Sequence, residues 1–239
     1  MRTLLSLLVA SLLFAAPGRA APPTTQPSGP WKIGIIGTGH IGGTLARLWV
    51  AAGYEVLVSS RHPDELAPLA KQLGPRAHVG TPREAASFGS VVLISVPYKA
   101  LPELGRDLKA ELAGKIVLDT CNPYPGRDGD MASDARKKGT GVADPEFLPG
   151  TRLVRAFNAI NAGSLAGEAH RKPPQIGIPL AGDDAEALRV AQRLVTDAGF
   201  DPVVVGGLTR ARDFDVGTPV YTKLLTAAEL RKALGIQSR

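Results

Sequence analysis

The sequence is poor in cysteine and aromatic residues, and it contains no block of like charges. Cys121 is the single cysteine among 239 residues, and the aromatic side chains make up 5% of them. An intramolecular disulfide is therefore excluded, and because no cysteine–histidine cluster has the spacing of a zinc site, we expect no bound metal. The net charge of +6 is spread along the chain, which argues against a basic arm that binds nucleic acid. We expect Cys121 to be a small buried residue at a strand end.

The N-terminus has an apolar run that is shorter than the roughly 20 residues of a membrane-spanning helix. This run covers residues 4–16, follows Arg2 and precedes the small residues Gly18 and Ala20. The pattern predicts a secretory signal peptide over residues 1–20 and a linker rich in proline, serine and threonine over residues 21–30. We therefore expect an exported, periplasmic protein, or a cytoplasmic one if the N-terminus is neither cleaved nor exported. A buried N-terminal helix is the alternative interpretation.

Residues 31–239 alternate between short apolar runs and segments with helical periodicity. The apolar runs predict strands at 31–36, 55–59, 91–96, 115–119, 154–157, 175–181 and 201–205. Helices are expected between them, including 63–73 and 100–113, and capping boxes are predicted at Thr81, Asp183 and Thr226. Strands separated by helices predict βαβ units. The fold class is therefore α/β, a single Rossmann-type, doubly wound domain with a mostly parallel sheet.

A glycine-rich motif follows the first predicted strand and opens a helix. It reads Gly37-Thr38-Gly39-His40-Ile41-Gly42. Gly37 permits a tight turn, Gly39 lets a pyrophosphate approach the backbone, and Gly42 lets the helix pack closely on the strand. The N–H groups at the helix N-terminus bind phosphate. This strand–turn–helix setting predicts a dinucleotide site.

The end of the second strand indicates which dinucleotide is bound. NAD-binding domains usually place an acidic residue about 20 residues beyond the glycines, where it holds the ribose hydroxyls. Ser60 and Arg61 stand there instead, without a carboxylate. A hydroxyl and a guanidinium would bind a 2′-phosphate that a carboxylate would repel. The sequence therefore predicts NADP(H) rather than NAD(H), with a solvated Arg61 as the alternative.

Seven stretches resemble one family, in the family's order and over nearly all of residues 31–237. They are IGIIGTGHIGGTLARLWVAAGYEV, SSRHPDEL, VVLISVPYKALPEL, KIVLDTCNPYPGRDG, LVRAFNAINAGSL, PLAGDD and AGFDPVVVGGL. The chain thus resembles the NADPH-dependent F420 reductase family, which is similar to the NADPH domain of STEAP metalloreductases. The resemblance implies a Rossmann fold with a preference for NADP.

The resemblance also implies a role for particular residues. It places Thr38, His40 and Ile41 on the pyrophosphate loop, Ser60 and Arg61 at the 2′-phosphate, Val96 and Pro97 beside the cofactor, Asn122 and Pro123 after the next strand, and Ala156 and Asn158 near the nicotinamide. Asparagine also favours turns, so turn chemistry stays an alternative for Asn122 and Asn158. For Tyr98 and Lys99 we favour a position on the rim over an acid pair.

Three functions fit these observations. The first is an NADPH-dependent oxidoreductase that transfers hydride between NADP(H) and a flavin or deazaflavin, a small redox acceptor of the F420 type. The chain has no Tyr-x-x-x-Lys pair, which favours an acceptor of this kind, and we name no catalytic residue. The second is an exported NADP-binding protein without catalysis, and the third is a small imine or carbonyl reductase of the pyrroline-carboxylate reductase type. A homodimer is left open.

Overall fold

The strands of the protein form one sheet in the computed structural model, which describes residues 31–236. Their bounds are Ile33–Ile36 (β1), Val56–Ser59 (β2), Ala77–Gly80 (β3), Val91–Ile94 (β4), Ile116–Asp119 (β5), Arg152–Arg155 (β6), Gly177–Gly182 (β7) and Asp201–Gly206 (β8). Within this range the strand order is β3-β2-β1-β4-β5-β6-β7-β8. The predicted signal peptide and linker lie outside the described residues. The sheet confirms the predicted Rossmann-type α/β fold.

The central strands are buried along their whole length. Every residue of β1, β2, β4 and β5 is buried, as expected for parallel strands covered by helices on both faces. Strands β1 to β6 pair in parallel, whereas β7 runs antiparallel to β6 and parallel to β8. The prediction of a mostly parallel sheet is therefore confirmed.

Helices connect the strands and cover both faces of the sheet. Their bounds are His40–Ala51 (α1), Ala67–Leu73 (α2), Pro82–Phe88 (α3), Leu101–Asp107 (α4), Lys109–Leu112 (α5), Pro125–Asp128 (α6), Asp130–Lys138 (α7), Thr140–Phe147 (α8), Ala162–Glu168 (α9), Ala185–Asp197 (α10) and Ala227–Ala233 (α11). Short 3-10 segments cover Pro63–Leu66, Tyr98–Ala100 and Leu208–Asp213. None of the helices in residues 31–236 is both long enough and apolar enough to span a membrane.

Two predicted helices are divided in the structure. The segment 63–73 begins as a 3-10 turn and becomes α-helical only at Ala67, since Pro68 lacks the N–H that would bond to the Asp64 carbonyl in a continuous helix. The segment 100–113 breaks at Leu108, whose backbone leaves the helical region between α4 and α5. Strand β3 and helices α6 to α9 were not predicted.

Side-chain caps mark three predicted helix starts, and one of these caps is shifted by a residue. Thr81 and Thr226 each form the predicted reciprocal box. The prediction that Asp183 caps α10 was wrong: Asp184 is the N-cap and accepts from the Ala187 N–H at 2.8 Å. The Asp183 carboxylate instead accepts from the Leu208 N–H at 2.9 Å, which ties the chain after β8 to the end of β7.

Candidate active site

The glycine loop between β1 and α1 is shaped by close backbone contacts at two of its three glycines. A Cβ on Gly37, whose φ is +95°, would lie 2.3 Å from the Ser95 carbonyl oxygen. A Cβ on Gly42 would lie 2.1 Å from the Gly37 carbonyl oxygen. A Cβ on Gly39, by contrast, would have no described atom within 4 Å apart from those of Gly39 and its two chain neighbours. Packing therefore explains Gly37 and Gly42, whereas the space over Gly39 is open to a ligand.

Gly39 is also the N-cap of α1, a helix of 12 residues. No side chain in the described part of the protein caps this terminus, and the first turn of the helix carries no acidic residue. Backbone N–H groups and the positive end of the helix dipole therefore face the open space beside Gly39. This arrangement fits a pyrophosphate, which accepts such hydrogen bonds and carries the complementary charge.

The end of β2 is tied to the glycine loop through side-chain hydroxyls. Thr38 donates from Oγ1 to the Ser59 carbonyl at 2.9 Å, so its hydroxyl hydrogen is used within the protein. Buried Ser59 donates from Oγ to the Ile35 carbonyl at 2.8 Å. The Ser60 hydroxyl accepts from the His62 N–H at 3.1 Å. These bonds place residues 60 and 61 next to the loop that would hold the phosphates.

Arg61 is exposed at this end of the site. It takes part in none of the salt bridges within residues 31–236. A guanidinium without a carboxylate partner retains all of its hydrogen-bond donors for an incoming anion. Arg61 and the Ser60 hydroxyl therefore fit a 2′-phosphate chemically.

A cleft of about 500 Å³ lies at the carboxyl ends of β1, β4, β5 and β6. It brings together seven of the predicted residues: Gly39, His40, Ile41, Val96, Pro97, Asn122 and Asn158. Pro123 and Ala156 are buried and do not line it. Ligands of open α/β sheets bind at this edge of the sheet.

The inner wall of the cleft contains amide atoms that lack a partner. Asn158 is 2% exposed, and neither its Oδ1 nor its Nδ2 is hydrogen-bonded within the described residues. The Oδ1 of Asn122 is likewise buried without a partner, while its Nδ2 donates to the Asn158 carbonyl at 2.7 Å. A buried polar group left unpaired costs about 1–3 kcal/mol. These amides therefore fit a ligand that offers its own amide, as the nicotinamide carboxamide does.

The backbone around Asn158 is strained. Phe157, directly before it, has a φ of +57°, a conformation that is uncommon for any residue other than glycine. The Phe157 ring is buried between Trp49 and Phe200, with edge-to-face contacts at 6.2 and 6.4 Å between ring centroids. This packing holds the residue in its strained conformation, and Asn158 is thereby fixed at the wall of the cleft.

A buried ionic cluster supports the cleft from behind. Arg155, which is fully buried, pairs with Asp119 at 2.9 Å and Asp144 at 3.0 Å, and donates to the Cys121 carbonyl at 2.8 Å. Tyr98 donates from Oη to Asp144 at 2.5 Å. Burial raises the pKa of the Asp144 carboxyl and of the Tyr98 hydroxyl well above their ordinary values. The cluster therefore fixes the segment after β5 that carries Asn122.

This cluster corrects one prediction and confirms another. Lys99 is exposed, but Tyr98 is fully buried rather than on the rim, because its hydroxyl serves Asp144 inside the core. Cys121 is 2% exposed at the end of β5, as predicted. Burial raises the pKa of its thiol, so the reactive thiolate is disfavoured.

The outer wall of the cleft comes from residues that the sequence did not single out. Tyr124 and Arg127 follow β5, and Tyr221 and Thr222 lie in the irregular segment after β8. Thr222 has a φ of +57° and donates its N–H to the Ala159 carbonyl at 2.8 Å, which holds this segment over the sheet. No motif in the tail marks these residues, since only the folded chain brings them to the cleft.

The sequence is similar to known NADP oxidoreductases. The profile described as NADP oxidoreductase coenzyme F420-dependent matches residues 32–123. An F420-dependent NADP reductase of Methanocaldococcus jannaschii is 30% identical over 207 residues, which cover 81% of this chain and 92% of that protein. The chain belongs to this family of NADP oxidoreductases. It is accordingly an NADP-dependent oxidoreductase.

Two further proteins are similar to this NADP oxidoreductase, one in sequence and one in structure. Metalloreductase STEAP3 of Rattus norvegicus is 30% identical over 184 residues, which cover 77% of this chain but only 36% of that protein. The chain thus spans about a third of the length of this metalloreductase. A crystal structure from Arthrobacter sp. FB24, provisionally described as an F420-dependent NADP reductase, superposes with a TM-score of 0.66 at 25% identity. The superposed region covers 86% of this chain and 96% of the chain from Arthrobacter.

Proposed function

We propose that this oxidoreductase transfers hydride between NADP(H), bound in the cleft, and a flavin or deazaflavin acceptor. The amide of Asn158, which has no hydrogen-bond partner among residues 31–236, carries the proposal most directly, since a buried donor and acceptor of this kind fit the carboxamide of a nicotinamide. When bound, NADPH supplies the hydride.

Different residues of the chain would bind different parts of the cofactor. The N-terminus of α1 beside Gly39 would bind the pyrophosphate, and Ser60 and Arg61 would bind the 2′-phosphate. Asn122 and Asn158 would orient the nicotinamide end. These groups lie on elements fixed by the β-sheet and by the Arg155 cluster, so the reacting ring would be held in one position.

The acceptor would enter from the open side of the cleft, between Val96 and Pro97 on one side and Tyr221 on the other. Flat side chains and apolar surface at this opening suit a planar ring system and exclude water from the reaction. The relatives described as F420-dependent NADP reductases support an acceptor of the deazaflavin type.

The test is oxidation of NADPH by the purified protein with FMN, FAD and a deazaflavin offered in turn. We expect turnover with at least one of these acceptors. Tight NADPH binding without turnover on any of them would refute the proposed acceptor class and favour a protein that only binds the cofactor.

We also propose that the protein is exported, on the basis of the predicted signal peptide over residues 1–20. Mass analysis of the protein from the periplasm of an expressing bacterium would test this. We expect a mature chain that begins near residue 21; an intact Met1 on protein confined to the cytoplasm would refute export.

A further inference from the structure

Two tyrosines from distant parts of the chain meet at the outer wall of the cleft. Tyr124 follows β5, Tyr221 follows β8, and their hydroxyl groups are hydrogen-bonded to each other. Both residues line the cleft. Tyr221 is half-buried, whereas Tyr124 is 37% exposed. The pair thus connects the interior of the cleft with the solvent.

The hydrogen-bond donors around Tyr221 determine where its proton can go. Asn122 donates from Nδ2 to the Tyr221 Oη at 3.3 Å, and an amide nitrogen can only donate. The Tyr221 oxygen is therefore an acceptor towards Asn122, and its own hydrogen is directed to the Tyr124 hydroxyl or to a ligand in the cleft. The inner hydroxyl is placed to give up a proton and the outer one to replace it.

A cation lies beside the pair. The Arg127 guanidinium is 5.0 Å from the centroid of the Tyr124 ring and donates to the Asn122 carbonyl at 2.8 Å. Asp128, which pairs with it at 2.7 Å, fixes the guanidinium in this position. Burial raises the pKa of Tyr221 above its ordinary value, so the phenol is protonated at neutral pH, and Arg127 acts in the opposite sense by stabilising the phenolate.

We propose that Tyr221 is a catalytic proton donor to the acceptor and that Tyr124 relays its replacement from solvent. The inference rests on the proposed function, since it takes NADPH in this cleft as the reductant. It extends the acceptors to conjugated carbonyl compounds of the quinone class, which need a proton on oxygen as well as a hydride.

The reaction balances with one hydride and one proton. The acceptor gains the hydride of NADPH at one quinone oxygen, and its second, conjugated oxygen forms an O–H bond with the proton from Tyr221. NADPH is oxidised to NADP⁺ and the quinone is reduced to the hydroquinone. The Tyr221 phenolate then regains a proton through Tyr124, which takes one from water.

The test compares two acceptors in the wild-type protein and the Tyr221→Phe variant. 1,4-Benzoquinone needs hydride and a proton, whereas the N-methylphenazinium cation is reduced by hydride alone. General acid catalysis contributes about 10²–10⁴ in rate. We therefore expect the ratio of kcat with the quinone to kcat with N-methylphenazinium to fall about a hundredfold in Tyr221→Phe. In the wild-type protein, D₂O should lower the rate with the quinone but not the rate with N-methylphenazinium.

Tyr54→Phe is the matched control. Tyr54 donates from Oη to Asp197 at 2.6 Å outside the cleft, so this variant also loses one tyrosine hydrogen bond, but the acceptor ratio should stay at the wild-type value. Ultraviolet titration of tyrosine ionisation in the cofactor-free protein gives a readout without turnover. It should show the loss of one group that ionises above the ordinary range in Tyr221→Phe.

The outcomes separate this inference from the proposed function. If the acceptor ratio is unchanged in Tyr221→Phe, whether both rates stay the same or both fall equally, Tyr221 is not the proton donor. NADPH binding, followed by the fluorescence of the reduced nicotinamide, reports on the cleft independently. If the wild-type protein does not bind NADPH, the proposed function fails and the inference fails with it.

Discussion

Replacement of Gly39 by alanine should separate cofactor binding from folding. Beyond the two chain neighbours of Gly39, no described atom lies within 4 Å of the added methyl, and the φ of −80° at this position suits alanine. Alanine is a poorer N-cap than glycine by up to about 1 kcal/mol, but it also restricts the unfolded chain, which stabilises by about 0.4–1 kcal/mol. These effects offset each other, so the free energy of unfolding should change by less than about 0.5 kcal/mol.

The same methyl would occupy the space in which we place the pyrophosphate. Loss of one charge-assisted hydrogen bond from the N-terminus of α1 costs about 1.5–3 kcal/mol, which is a ten- to hundredfold weaker Kd at about 1.4 kcal/mol per factor of ten. Gly42→Ala is the matched control. Its Cβ would lie 2.1 Å from the Gly37 carbonyl oxygen, so overpacking should lower the free energy of unfolding by about 1–3 kcal/mol.

The assay combines urea denaturation with NADPH titration, followed by the fluorescence of the reduced nicotinamide. We expect Gly39→Ala to unfold at the wild-type urea concentration and to bind NADPH at least ten times more weakly. Wild-type affinity in the Gly39→Ala protein would refute the placement of the pyrophosphate over the glycine loop.

Three other perturbations test separate parts of the structure. Arg61→Ala should weaken NADPH binding by about 1.5–3 kcal/mol in calorimetric titration and leave NADH binding nearly unchanged, and equal losses would contradict a 2′-phosphate contact. Arg155→Met should lower the urea midpoint by the equivalent of about 3–5 kcal/mol, because the buried Asp119 and Asp144 carboxyl groups lose the cation that they both contact; a midpoint close to wild type would contradict a stabilising role for these contacts. The hydrogen bond from Arg152 lowers the pKa of Asp184 to about 2, below its unfolded value of 3.8, so this contribution to stability is present above pH 4 and is lost as the pH falls towards 2. Asp184→Asn should therefore flatten the acid limb of a stability–pH curve, and an unchanged limb would contradict the assignment.

The features that the sequence predicted well depend on neighbouring residues. The glycine loop needs a tight turn after one strand, and the capping boxes at Thr81 and Thr226 involve residues three apart. Continuous apolar runs such as those of β4 and β5 identify buried parallel strands. Local chemistry of this kind can be recognised from sequence alone.

The features that the sequence did not predict depend on distant contacts. Strand β3 lies at the edge of the sheet and is only partly buried, so its apolar pattern is weak. Arg155 ends a strand that reads Arg-Leu-Val-Arg, and its carboxylate partners come from other elements. Tyr124 and Tyr221 are 97 residues apart and meet only because the segment after β8 folds over the cleft. No pattern over neighbouring residues carries this information.

We expect the protein to bind NADP(H) through the glycine loop and Arg61. The most direct test is calorimetric titration of the purified protein with NADPH and with NADH under identical conditions. NADPH should bind at least ten times more tightly than NADH, because only NADPH offers a 2′-phosphate to Ser60 and Arg61. Equal affinities, or tighter binding of NADH, would contradict it.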